Sequence, residues 1–588
     1  MTVAEYIIKY LELQNKASHI FSVVGGGCIF LSNAAYNSKK FTVVPCLHEQ
    51  AATIAAESYS QINGLGIALV TTGPGVTNAM TGVAGAYLES TPVIILSGQV
   101  NTYHSSELYG TRQYGFQEVN TGELVKSITK YYVKITKYDV FHQRLGYILS
   151  RLLNEAYSNR PGPVWLDIPL DVQNMTTYED IPLTMDFCQS NLAKLDTTNL
   201  VTNIIEDILN AERPVILAGN GIRLSDSIND FKHLISMLQI PVLCTWKTFD
   251  FFTEDDSLYI GRPGIIASRY ANKIQQECDL FLSIGARLDL GQTAFNPNKI
   301  APNAKKYIVD VDNNELNKFS AENTKTICDN ASHFIQSMHY VATKTCRPTE
   351  KHTTWLSYCH EVKQIYDLKK EHLNDEIFNY YKVLPFLTDI LDENTILIHG
   401  SSGTCSEVTC QALELKHSTR VVGTHGLGSM GFGLPAAIGA WYATGKKIVC
   451  VDGDGSFAMN IQELALLEDR CMDIHIIILN NNGYASIRNT QSKMFDGRFF
   501  GSEPSSGLKL PHYATIAKSF DMSYYPIYDI QDLKMLKNIS HKGPHIYEIF
   551  LDEVNTQSFP RTKTQKQEDG SIITLPMEDM YPNFGSKS

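Results

Sequence analysis

Short apolar runs alternate with helical patterns along this chain: FTVVPC precedes EQAATIAAESYSQ, GIALVTT precedes TNAMTGVAGAYLES, and PVIILSG follows. Apolar runs of this kind read as strands buried on both faces, and the helices between them as the crossovers that parallel strands require. The chain is thereby restricted to α/β architecture. The rhythm breaks twice. RPGPVWLDIPLDVQ (160–173) closes a first block, after which YEDIPLTMDFCQSNLAKLDTTN is polar and Pro-bearing, as a linker would be. A second block runs from RPVILAGNGI through PVLCTW, LFLSIGARLD and KYIVDVD to about residue 345, and TKTCRPTEKHTTW is again linker-like. The third holds NTILIHG, KIVCVDGDGS and IHIIILNNNGYASIR. A chain of 588 residues can bury several cores. The predicted organisation is three parallel-sheet α/β domains over 1–180, 190–345 and 360–555, with a polar tail over 556–588.

Composition removes several classes of partner. Fifty basic against 62 acidic residues give a net charge of -12, and no Lys/Arg run could track a nucleic-acid backbone. The N-terminal pattern MTVAEYIIKYLELQNK carries Glu5, Lys9 and Glu12, and apolar runs such as IIIL (476–479) are too short to span a bilayer. The expectation is a cytoplasmic protein with no nucleic-acid or membrane partner. Twelve cysteines are scattered without a C-x-x-C pair or a Cys/His cluster, so reduced, mostly buried thiols are expected rather than a zinc site or disulfides.

GLGSMG (426–431) fits the spacing G-x-G-x-x-G, and Asp452 stands 21 positions beyond Gly431. A nicotinamide-binding turn would have this spacing, but it needs a buried strand feeding straight into the glycines. Here only Val421 and Val422 are apolar before Gly423, Thr424 and His425. Asp452 also opens a motif with its own chemistry. In VDGDGSF the apolar run IVCV delivers Asp454 between glycines, and 24 residues separate Gly455 from Asn480 in ILNNNGY, the end of another apolar run. Two strand ends therefore offer a carboxylate, an amide oxygen and a backbone carbonyl, a donor set that suits magnesium, with Gly455 and a helix starting near Ser456 for a diphosphate.

G-D-G-S, about 24 residues, then N-N resembles the signature of thiamine diphosphate enzymes, and the chain is similar over nearly its whole length to acetohydroxyacid (acetolactate) synthases. The resemblance implies thiamine diphosphate and Mg2+, with Asp454, Asn481 and the Gly483 carbonyl on the metal and Ser456 on the diphosphate. GLGSMGFGLPAAIGA resembles the segment that cradles the thiamine pyrimidine, which makes Met430 the wedge that bends the cofactor and Gly428 the carbonyl that fixes its amino group. CLHEQAATIAAESYSQ resembles the segment carrying the catalytic glutamate, here Glu49, whose carboxyl protonates the pyrimidine ring. YGFQE matches the family's pocket residues, Phe116 and Gln117. Because that glutamate serves cofactor held by the other subunit, a homodimer or homotetramer with active sites at the interface is implied.

The middle block resembles the flavin domain of the same family, which implies FAD. The matching positions are Arg160, Gly219, Asn220, Gly221, Thr245, Gly264, Arg287, Asp310 and Asp329, although GRPGII departs from the family's G-M-H-G. The expected activity is decarboxylation of pyruvate and transfer of the two-carbon unit to an acceptor carbonyl. After N-N the family has an M-V pair and then a tryptophan. Here Ser486, Ile487 and Arg488 follow, with Thr490 at the tryptophan position. If Arg488 faces the pocket, the expected acceptor is larger and polar, such as the keto group of a nucleotide-linked deoxysugar. A second pyruvate is the family default, and an oxidase or simple decarboxylase is the further alternative.

Overall fold

The computed structural model describes residues 1–181, 198–345, 349–372, 376–401, 403–468, 472–552 and 558–584. Three six-stranded sheets, each wholly parallel, carry the chain. The first is built from β1 (His19–Ser22), β2 (Thr42–Pro45), β3 (Gly66–Val70), β4 (Val93–Gln99), β5 (Tyr131–Lys134) and β6 (Val164–Pro169), in the order 2-1-3-4-6-5. The third repeats that order with β13 (Thr395–His399), β14 (Arg420–Val422), β15 (Lys447–Gly453), β16 (Ile474–Asn480), β17 (Ser523–Ile527) and β18 (His545–Phe550). The middle sheet differs. Its strands β7 (Pro214–Ala218), β8 (Val242–Cys244), β9 (Tyr259–Gly261), β10 (Leu280–Ile284), β11 (Lys305–Asp310) and β12 (Thr324–Cys328) lie in the order β9-β8-β7-β10-β11-β12, which is 3-2-1-4-5-6 within the domain. Strands β3, β4, β7, β10 and β13 are buried at every residue, which is why their sequences are mostly apolar.

The outer two domains pack through their helices. Helix Glu49–Asn63 packs against helix Gly433–Thr444, and Ser58 Oγ donates to the Ala436 carbonyl at 2.8 Å. Close approach needs a glycine: a Cβ on Gly439 would sit 2.1 Å from the Ala55 carbonyl oxygen. The middle and third domains meet at Asp250, whose carboxylate accepts from Arg223, from Arg420 Nη1 at 2.8 Å and from the Val421 amide at 3.0 Å.

Two sequence expectations change here. Most of the first linker (178–199), at 182–197, lies outside the described residues, but the second is partly structured: Thr349 caps a helix spanning Glu350–Ile365, so EKHTTW opens an element. The polar tail also folds back. Its strands β19 (Arg561–Thr562) and β22 (Met580–Tyr581) pair antiparallel, as do β20 (Thr564–Lys566) and β21 (Ile572–Thr574) between them. The Thr562 amide donates to the Ile265 carbonyl, Asn272 Nδ2 to the Met577 carbonyl and Gln411 Nε2 to the Pro560 carbonyl, each at 2.8 Å, so the tail straps the middle and third domains. Among the described residues no helix is long and apolar enough to cross a membrane.

Candidate active site and cofactor clefts

β15 ends at Gly453, and Asp454 opens one helical turn to Phe457, two residues earlier than the sequence placed it. The Asp454 carboxylate is buried. Its Oδ1 accepts the Gly455 amide at 2.8 Å and its Oδ2 the Gly483 amide at 2.9 Å, which ties the end of β15 to the loop after β16. Burial pushes its pKa up to about 6 in spite of those donors. In the second loop Asn482 and Gly483 both take positive φ, 60° and 132°. Asn481 Oδ1 is buried there with no hydrogen-bond partner among the described residues. An orphaned acceptor costs on the order of 1–3 kcal/mol unless something outside the chain satisfies it. A buried carboxylate, an unsatisfied amide oxygen and a loop of carbonyls at adjacent strand ends fit a hard divalent cation.

Arg488 corrects an expectation. It faces neither solvent nor a substrate pocket: it is buried, donating through Nη1 to the carbonyls of Asn482 (3.3 Å) and Ser502 (3.1 Å) and through Nη2 to that of Asn481 (2.7 Å). Its charge is used inside the protein to hold the loop that follows β16. Ala485, Arg488 and Gln491 are the buried residues of helix Ala485–Met494. Their spacing of three was the available signal. Thr490 turns outward and donates to the Ser486 carbonyl.

The glycine loop lies directly above this group. Gly428 and Gly431 take positive φ (60° and 83°), a conformation open to glycine without penalty. Ser456 Oγ accepts the Gly431 amide at 3.0 Å and Asn460 Nδ2 donates to the Gly431 carbonyl at 2.7 Å, so the two motifs are one structure. Met430 is half-buried on the loop. As a dinucleotide turn the loop fails on two counts. β14 is a three-residue edge strand separated from helix Gly433–Thr444 by the whole loop, and Asp452 is sealed beneath, with Cβ atoms on Gly400 and Gly433 falling 1.9 and 2.5 Å from its carboxylate.

The first domain presents its predicted residues on another face. Glu49 begins helix Glu49–Asn63 and accepts from Asn78 Nδ2 at 3.0 Å; among the described residues no hydrogen bond joins it to the Asp454 group of its own chain. Phe116 is 88% exposed, and Gln117 beside it has φ 62°. That protruding loop is shaped by Glu118, which the sequence reading passed over. Against the effect of burial, the amides of Ser106, Gly115 and Tyr114 hold its carboxyl below the usual range. Glu89 was also missed. It accepts the amides of His425 (2.6 Å) and Gly426 (2.5 Å) and an ion pair from Lys247 Nζ at 2.6 Å, which in turn donates to the Gly423 carbonyl. Three domains thereby clamp the start of the glycine loop. Burial alone would raise Glu89, but Lys247 and the donors bring it down to about 2.

The middle domain opens onto a cleft of about 1160 Å³. Arg160, Asn220, Gly221, Thr245, Gly264, Arg287, Asp310 and Asp329 all line it; Gly219 lies beneath, where a Cβ would come within 2.2 Å of Ala286 Cα. In the 3-2-1-4-5-6 order, β7 and β10 flank the switch point at which dinucleotides bind, and the cleft sits at their carboxyl ends. Arg287 (φ 56°) donates to the Leu88 carbonyl at 3.0 Å and pairs with Asp289. Arg160 bonds Ser90 and pairs with Glu315 at 2.6 Å. The altered GRPG turn is held by Asn272, which bonds both the amide and the carbonyl of Gly264 at 2.9 Å.

Comparison with known proteins agrees with this arrangement. Residues 1–124 match the N-terminal TPP binding domain of the thiamine pyrophosphate enzymes, residues 201–338 their central domain and residues 401–549 their C-terminal TPP binding domain. The chain is 28% identical over 541 residues to the acetolactate synthase large subunit of Lactococcus lactis subsp. lactis (strain IL1403), covering 91% of this chain and 90% of that protein. It is 27% identical to the acetolactate synthase isozyme 2 large subunit of Escherichia coli (strain K12), over 94% and 96%, and 28% to the chloroplastic acetolactate synthase 1 of Oryza sativa subsp. japonica, over 93% and 84%. The chain belongs to the thiamine pyrophosphate enzymes and is similar over most of its length to acetolactate synthase large subunits.

Proposed function

We propose that this enzyme decarboxylates pyruvate and joins the two-carbon unit to the carbonyl of a second 2-ketoacid, as an acetolactate synthase does. The observation that carries the reading is Asn481 Oδ1, a buried acceptor left without a donor one loop from the Asp454 carboxylate. Asp454, Asn481 and the Gly483 carbonyl would hold Mg2+, which neutralises the diphosphate. Gly455, Ser456 and the turn they start would face that diphosphate. Bound thiamine diphosphate supplies a carbon nucleophile and an electron sink for the carbanion left by decarboxylation. Gly428 and Met430 orient its pyrimidine, and Glu49 holds a proton at the ring nitrogen. Phe116 and Gln117 line the pocket.

Glu49 and the exposed Phe116 lie on a domain other than the metal group, and Tyr103, Leu108, Tyr109 and Tyr114 are more than half exposed on the same segment. This supports a homodimer, alone or paired into a tetramer, in which one subunit's first domain completes the other's site. The cleft and strand order of the middle domain support FAD at Arg160, Gly219, Asn220, Gly221, Thr245, Gly264, Arg287, Asp310 and Asp329, held structurally because carboligation is redox-neutral. No disulfide joins any of the nine described cysteines, which supports a reducing, cytoplasmic setting.

The small acceptor is favoured over a keto-sugar nucleotide because Arg488, the only positive charge in that proposal, is spent on the loop that follows β16. Mass analysis of products from pyruvate, with and without a keto-sugar nucleotide, tests this. The expected result is acetolactate with one carbon dioxide per two pyruvates, unaffected by the sugar. A branched sugar would install the larger acceptor, and bleaching of a flavin band in step with turnover would point to an oxidase.

A further inference from the structure

Behind the glycine loop, three ligating side chains far apart in sequence converge. His399 ends β13, Cys410 lies in helix Thr404–Ala412, and His425 follows β14. One ligating atom from each falls within 4.8 Å of the others. His399 and Cys410 are fully buried, while His425 lines the large cleft.

The geometry resembles a coordination sphere more than a chance contact. Cys410 Sγ and His399 Nε2 are 3.6 Å apart. A tetrahedral zinc ion, ~2.3 Å from sulfur and ~2.0–2.1 Å from nitrogen, sets two such ligands about that far apart. His399 Nδ1 lies 2.9 Å from the Gly400 carbonyl. A carbonyl there fixes the proton on Nδ1 and leaves the Nε2 lone pair facing the thiol, the arrangement usual for metal-binding histidines. Packing of the ring depends on Gly423, where a Cβ would lie 2.1 Å from Nε2. A second observation is independent of the cluster. Ser401, two residues after His399, and Thr424, next to His425, each line the cleft with a buried hydroxyl that has no partner among the described residues. Their hydroxyls provide unused hydrogen-bonding capacity for a water or anion in the cleft.

We propose that His399, Cys410 and His425 form a second metal site, taking a zinc-type divalent ion between two imidazole nitrogens and one thiolate sulfur, with the fourth ligand from the cleft. Uptake displaces the thiol proton. The ion would pin β13, the following helix and the thiamine-cradling loop to one point. It is distinct from the oxygen-lined Asp454 site in position and in ligand softness.

The test uses the full enzyme with thiamine diphosphate and excess Mg2+, stripped of transition metals by chelator and then given Zn2+ or Co2+ alone. Elemental analysis should find one zinc per chain, and the cobalt form should show the thiolate-to-metal absorption band and tetrahedral visible bands. Cys410→Ser should abolish the thiolate band and His425→Gln should lower zinc retention by at least tenfold, with unchanged circular dichroism. Asp454→Ala should keep the zinc, which separates this site from the proposed catalytic one. Zinc no higher than in the Cys410→Ser, His425→Gln double variant, or a cobalt spectrum of the unaltered enzyme without a thiolate band, would overturn the proposal; the latter needs no variant to fold.

Discussion

Glu49 and Asp454 separate catalysis from retention. Glu49→Gln leaves every metal contact in place, so bound thiamine diphosphate should be unchanged while turnover falls ~10²- to 10⁴-fold, the range for a lost proton-transfer group. Normal turnover in that variant would remove the assignment. Lys247 acts on stability instead. With Lys247 and Glu89 both buried, removing one partner strands the other, which costs about 3–5 kcal/mol. In the intact enzyme Glu89 is held at about 2, below its unfolded value, so its contribution is present at neutral pH and lost as pH falls through that value. In Lys247→Met burial should raise the carboxyl instead, as it raises neighbouring Glu57 to about 8. Denaturant midpoints should then fall as pH rises above the unfolded carboxyl range, opposite to the parent. At this scale the motif residues were legible because G-D-G-S and N-N are contiguous. Glu89, Lys247 and the His399–Cys410–His425 group were not, since only the folded chain brings them together.

At the level of elements, helix Ala485–Met494 shows what periodicity conveys and what it omits. The spacing of Ala485, Arg488 and Gln491 marks a buried face, yet an arginine there reads as solvated or substrate-facing until the carbonyls it serves are placed. Its three carbonyl contacts make it the strut of the loop that follows β16. Arg488→Met should therefore weaken magnesium-dependent thiamine diphosphate binding 10- to 100-fold, the usual effect of losing a supporting contact behind a metal ligand, while flavin retention is unaffected. Loss of both cofactors together would indicate general unfolding. The three-residue β14 bears out the weakness read from Val421 and Val422, and the buried Asp452 explains why a correct glycine spacing still makes no nicotinamide site.

For the whole molecule, three parallel sheets were readable from the alternation of apolar runs and helices. Their strand orders were not, because crossovers leave no local trace in sequence. The distinct order of the middle sheet is the feature that supports the proposal of a dinucleotide in its cleft. Glu49 and Asp454 are expected to meet only across a dimer, and hybrids test that. Neither Glu49→Gln nor Asp454→Ala should be active alone, but co-expressed subunits should recover about a quarter of parent activity, since random pairing in a two-fold dimer gives half hybrids with one intact site each. No recovery would place both residues in the same chain's site.

The metal and diphosphate site is the claim on which the rest depends, and calorimetric titration of the apo-enzyme with thiamine diphosphate reads it directly. Binding should require Mg2+, disappear on chelation, and be lost in Asp454→Ala while the fold and the flavin remain. Undiminished binding in Asp454→Ala, or binding indifferent to Mg2+, would contradict the site described for Asp454, Asn481 and Gly483.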